Sequence, residues 1–200
     1  MKEERHLLLR RYYGGSMAER LDLARALYAT HGAALRQHPD MRRQLALLAQ
    51  ASATLSAHMA AIGLNALCAA CAASPGGGCC SAAIGDDCDT PLLLTNLLLG
   101  VNIACQDSDP ASCRFLGPSG CPFAAKPIFC LNYNCEKILE KVRKEDLASL
   151  YRLVGEALGE QGRVEEMVLD FLKEQWMIKS KENGKVDTRK YDKKIMYWHD

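Results

Sequence analysis

The first 67 residues of this 200-residue chain contain no cysteine, and neither do the last 65. All ten cysteines fall between Cys68 and Cys135, a confinement that excludes their use as small core residues scattered through a fold. The same stretch is nearly empty of cations: Arg114 and Lys126 stand against five carboxylates. Ionised thiolates there have little encoded counter-charge, which favours a bound metal. Other absences narrow the function. The net charge is +1 and there is no strongly basic stripe, so no nucleic-acid partner is expected. The most apolar run, Pro91 to Ala104, contains Asn96 and Asn102 and falls short of the roughly 20 residues a bilayer span needs, so no membrane partner is expected either. The N-terminus lacks the apolar stretch and cleavage site of a secretory signal, and the expected location is cytoplasmic. No glycine-rich phosphate loop lies between a strand and a helix. No serine–histidine–acid order or paired carboxylates support acyl transfer or glycoside hydrolysis. Internal repeats and long heptad runs are missing as well.

The two arms read as helical. Ser16 and Glu19 have capping-box spacing, and Leu21, Ala24 and Tyr28 recur behind them, predicting a helix from about Met17 to Thr30 that Gly32 ends. Pro39 suits the first turn of a second helix, where Met41, Leu45, Leu48, Ser52, Leu55, Met59 and Ile62 trace one stripe as far as Gly63. From Leu64 to Asn134 the periodicity breaks up, with Ser74–Gly78, Asp107–Pro110 and Gly117–Gly120 as turns, and only Leu92 to Ile103 reads as helix. Loop structure of this kind needs an organiser other than an apolar core, and a metal centre supplies one. After Asn134, a candidate cap, helical stripes resume through Ile138, Val142, Leu147, Leu150, Val154 and Leu158, then Val164, Met167, Val168, Phe171 and Leu172, with Gly162 as the break. Residues 179–200 carry no assignable pattern. The expected fold is therefore mainly α: helical arms at 1–67 and 136–200 around a loop-rich, cysteine-ligated metal core at 68–135, together forming one compact domain.

Cys68-Ala-Ala-Cys71 has chelate spacing, in which both sulfurs approach one metal while the amides of the turn face them. With the doublet Cys79-Cys80 and with Cys113, Cys121, Cys130 and Cys135, it makes eight candidate cofactor and metal ligands. In a reducing cytoplasm such an array signals metal or redox chemistry more often than disulfides. Neighbouring residues of an extended chain point to opposite sides, so Cys79 and Cys80 can serve two different centres. Eight thiolates fill two four-thiolate zinc sites or two 4Fe-4S clusters equally well. The irregular ligand spacing, and the chance for Phe115, Phe123, Ile128 and Phe129 to shield a cluster, favour one or two iron–sulfur clusters, with zinc as the alternative. Cys88 and Cys105 read either as further ligands or as buried thiols.

Residues 68–135 resemble the YkgJ-like cysteine cluster family, the CxxCxxCC zinc- or iron-chelating domain. The likeness lies in Cys68-x-x-Cys71 with the Cys79-Cys80 doublet, and in the phrase Cys113-Arg-Phe-Leu116, Gly120-Cys121, Lys126-Pro127-Ile-Phe-Cys130. The loop between Cys71 and the doublet is longer than the family's, and Lys126 stands where Arg is common. The resemblance implies metal chelation by these cysteines. Through the family's likeness to the cysteine-rich part of flagellin lysine-N-methylases, it also implies an enzymatic alternative.

Three functions are thus expected: an iron–sulfur protein that passes electrons to a redox protein partner, a zinc-stabilised interaction module, or a cluster-dependent enzyme whose catalytic residues the sequence does not reveal. His31, His38 and His58 read as surface or satisfied residues, and Asp86, Asp87 and Asp89 as a solvated turn. Tyr12, Tyr13, Arg10 and Arg11 read as a partly packed N-terminal segment.

Overall fold

A computed structural model describes residues 10–72, 78–105, 112–117, 120–132 and 134–182. The turns read at 74–77 and 107–110, the centre of the 117–120 turn and the tail beyond 182 lie outside the described residues. The chain divides into two units, 1–168 and 169–200. The described residues are mainly helical and form no strand beyond two isolated bridges.

The first unit opens with a helical turn at residues 10–13. Helix α1 (Met17–Gln37) starts on the expected capping box: Ser16 accepts the Glu19 N–H, and Glu19 accepts the Ser16 N–H at 2.8 Å. It does not stop at Gly32. That glycine is buried inside the helix against the ring of Tyr28, and the chain stays helical until His38, whose extended backbone precedes Pro39. This is the conformation a residue before proline is driven into. Helix α2 (Pro39–Ala61) buries Met41, Leu45, Leu48, Ser52 and Leu55. Gly63, at φ 73°, turns the chain after it.

The cysteine segment holds more helix than its periodicity suggests. Helix α3 (Leu64–Ala72) carries the Cys68–Cys71 pair, α4 (Ala82–Asp86) follows the doublet, α5 (Thr90–Leu98) is almost wholly buried, and α6 (Ile128–Asn132) carries Cys130. Helix α5 ends at Leu98, five residues short of expectation, because Gly100 takes φ 83° and the chain leaves the helix; Ile103 is buried outside it. Helix α7 (Glu136–Lys141) has Cys135, not Asn134, as its N-cap. Helix α8 (Lys144–Glu182) runs through Gly155, Gly159 and Gly162 without a break and continues into the second unit, whose described part is its stretch from Leu169 onward.

Two packing regions position the cysteines. Helix α5 packs along α1. Leu55 and Leu64 join Leu131, Ile138 and Val142 and the α8 residues Leu147, Leu150, Leu153, Val154 and Ala157 in one apolar cluster, with Cys68 and Cys135 at its margin. Each fully buried leucine here stabilises the fold by about 1.5–3 kcal/mol. Polar side chains tie α8 to the rest: Gln44 donates to Glu160, Tyr13 to Glu165, and Gln161 to the Lys126 carbonyl at 3.2 Å. His58 Nε2 lies 3.0 Å from the Asp146 carbonyl, the satisfied role expected of a helical histidine.

Candidate metal centre

The cation-rich first arm holds part of the cation-poor segment. Arg20 of α1 donates to the Asp86 carbonyl at 2.6 Å and Arg25 to the Ile103 carbonyl at 3.0 Å. Asp89, expected in a solvated turn with Asp86 and Asp87, is instead the N-cap of α5 and accepts the Leu92 N–H at 2.8 Å. Burial raises its carboxyl to about 6, against the partial relief of that hydrogen bond. Asp86 and Asp87 are exposed as expected.

Asn96, in the middle of α5, is 0% exposed and anchors the loop between Cys121 and Cys130. Its amide donates to the carbonyls of Leu92 (3.0 Å) and Ala125 (2.8 Å), and its oxygen accepts the N–H groups of Ala124 (2.9 Å) and Ala125 (3.1 Å). The loop between Cys121 and Cys130 is thereby fixed to a buried helix. Lys126 Nζ donates to the Phe123 carbonyl, and the Cys130 N–H to the Pro127 carbonyl. Sequence reasoning noted Asn96 only as an interruption of an apolar run; a polar amide among leucines was the signal available.

The loop around Cys113 is held from the other side. The Cys113 N–H donates to the Cys80 carbonyl at 2.9 Å, and Ser81 bridges Ser112. Gly85 is buried where a Cβ would come within 3.2 Å of the Cys113 sulfur. Burial raises the Cys113 thiol, and the charges of Cys121 and Asp86 add to it, against partial relief from hydrogen bonds to the Phe115 and Leu116 backbone. Phe115 and Phe123 are buried, with ring centroids 4.8 Å apart. Ile128 and Phe129 do not join them: Ile128 is 64% and Phe129 38% exposed.

The thiols crowd one another in two overlapping sets that meet at Cys79 and Cys80. Burial raises Cys68, and the charges of Cys79, Cys135 and Cys71 raise it further. Burial raises Cys79 too, against hydrogen bonds from its own backbone and from Cys80, with the charges of Cys135 and Cys71 adding to the rise. These four form the first set, beside a cavity of about 510 Å3 lined by Cys71, Cys79, Cys135, Ser81, Phe129 and Lys137. In the second set, Cys130 is pushed up to about 12 by burial and then by Cys121, Cys80 and Cys113, with the Lys126 charge opposing. Cys80 is pushed up to about 11 by burial and by neighbours from both sets, Cys79 and Cys68 on one side and Cys113 and Cys121 on the other.

Cys88 is 1% exposed, and its thiol is raised by burial and by Cys113, Cys130 and Cys121. It therefore borders the second set, which its sequence context did not show. Cys105 is half-buried at the end of the 101–105 segment and is not among the neighbours that shift any of these thiols. Among the described residues, no three His, Cys, Asp or Glu side chains are arranged around one point as a single ion requires. The donor chemistry nonetheless fits a metal group: soft thiols, charges that repel one another, and one opposing lysine, a balance that a bound cation reverses. Comparison with protein-family models, with curated proteins and with solved structures gave no match.

Proposed function

We propose that the chain is an iron–sulfur protein with two centres that carries electrons. The first centre draws on Cys68, Cys71, Cys79 and Cys135. The second draws on Cys113, Cys121 and Cys130 with a fourth thiol, for which Cys80 and Cys88 both stand near. The observation that carries this reading is the crowding of thiols on both sides of the doublet, Cys68, Cys71 and Cys135 about Cys79 and Cys113, Cys121 and Cys130 about Cys80, with Cys79 and Cys80 also beside each other. The likeness to YkgJ-like cysteine clusters agrees with it. Bound clusters would supply one-electron chemistry. The protein's own part is to hold the sulfurs and to leave the first set beside an open cavity.

Anaerobic purification with iron and acid-labile sulfide analysis tests the proposal. About eight of each per chain, with a visible spectrum that bleaches reversibly under dithionite, is the expected result. Zinc without sulfide would replace this reading by a structural zinc module, since zinc has no redox chemistry. The cavity beside the first set is what favours the enzymatic alternative. In that case a small ligand would perturb the spectrum of the first centre and leave the second unchanged.

A further inference from the structure

Three of the five large apolar side chains exposed among the described residues stand on the two short helices α6 and α7. Ile128 (64% exposed) and Phe129 (38%) are on α6, and Leu139 (49%) is on α7. Apolar residues scattered singly over a surface are ordinary, whereas three gathered about one cavity mark a contact face. Phe129 lines the cavity of about 510 Å3 together with Cys71, Cys79, Cys135, Glu136 and Lys137. Ile128 precedes it in the chain, and Leu139, three residues after Glu136, lies on the same side of α7 as that carboxylate. The face thus carries exposed apolar side chains beside a hollow. Its α6 side is free of charge: between Phe115 and Cys135 the sequence has one charged residue, Lys126, whose ammonium donates to the Phe123 carbonyl at 2.8 Å. At the rim, Glu136 and Lys137 are exposed neighbours of opposite sign.

We propose that a second copy of this chain occupies this face, in a two-fold pair in which Ile128 of each copy enters the cavity of the other. A knob beside a hollow is complementary to itself under two-fold rotation, because each copy supplies what it receives. The rim charges obey the same rule. Glu136 of one copy meets Lys137 of the other, and the contact is repeated across the axis, which fixes the orientation of the pair. Long-range repulsion does not oppose the approach, since the net charge is +1. Pairing leaves Cys71, Cys79 and Cys135 of each copy beneath the other and closes the cavity over the first set of thiols. The face is the same whichever metal those thiols hold, so metal analysis and the state of association decide the two readings separately.

Sedimentation velocity of the full-length chain, purified anaerobically and run from micromolar to sub-millimolar concentration, is the test. A reversible monomer–dimer equilibrium is expected, of modest strength because two short helices make a small interface. Ile128→Lys and Leu139→Lys should each weaken it about tenfold or more, with metal content unchanged, since both side chains are exposed. Glu136→Lys alone should weaken it too, by setting like charges against each other twice, and Glu136→Lys combined with Lys137→Glu should restore it. A chain that stays monomeric at every concentration overturns the proposal and leaves the face to a different protein. A dimer indifferent to both apolar substitutions overturns the assignment of the face. A charge swap that fails to restore association overturns the two-fold pairing.

Discussion

Asn96 offers the sharpest test at the scale of one residue. Its four hydrogen bonds are made where water cannot replace them, so Asn96→Ala leaves the Ala124 and Ala125 amides and the Ala125 carbonyl without partners. Each orphaned buried group costs about 1–3 kcal/mol, and a loss of roughly 3 kcal/mol is expected in chemical denaturation. An unchanged midpoint would show that the 121–130 loop is held by something else. Gly85 tests the site more directly. A methyl group there meets the Cys113 sulfur at 3.2 Å, so Gly85→Ala should displace Cys113 and lower metal retention while leaving the helical circular dichroism intact. Residue identity alone placed the eight cysteines among the candidates. It left Cys88 open between a further ligand and a buried thiol, and the structure shows it buried.

For the elements, the glycines separate local propensity from packing. Gly155, Gly159 and Gly162 of α8 face nothing within 4 Å, so each change to alanine should stabilise the protein by about 0.5–1 kcal/mol through helix propensity alone. Gly32→Ala, equally helical, should destabilise it, because the new methyl group would lie 2.8 Å from the Tyr28 ring. Thermal melts of the four variants would check the signs. Equal signs at Gly32 and Gly155 would contradict the packing described for α1. The same glycines explain which elements could be read in advance. The capping box of α1 and the stripe of α2 are strong local signals, and both helices begin where those signals put them. Gly32 and Gly162 were read as stops, yet a glycine costs a helix only about 1 kcal/mol, less than the burial on either side supplies. Helix α3 went unread because its cysteines suggested a loop, although its alanines and leucines favour helix. The five-residue helices α4 and α6 are too short to show a period at all.

At the scale of the whole first unit, the helical frame and the cysteine segment should respond differently to loss of the proposed metal. Helices α1, α2 and α5 and the 144–168 part of α8 have their own apolar contacts, whereas 78–81 and 112–117 are held by few backbone hydrogen bonds. Chelation should leave most of the helical circular dichroism in place while amide exchange accelerates in those two segments. Uniform acceleration through α1 and α5 would mean that the frame depends on the centre. The mainly helical class was legible from the arms; the grouping of the thiols was not, since it depends on contacts between residues far apart in the chain.

Cys68 and Cys135 mark the two ends of the cysteine segment, 67 positions apart in sequence. They pack at the margin of the same apolar cluster and lie close enough to feel each other's charge. Anything that joins these two sulfurs turns most of the intervening chain into a ring with two free arms. Chain statistics value such closure at about 4 kcal/mol, nearly all of it taken from the freedom of the denatured chain. A ring that survives in denaturant also exposes less surface when the protein opens. The metal-loaded protein should then show a shallower denaturant slope than the stripped one, the signature of a cross-link and not of an added core contact.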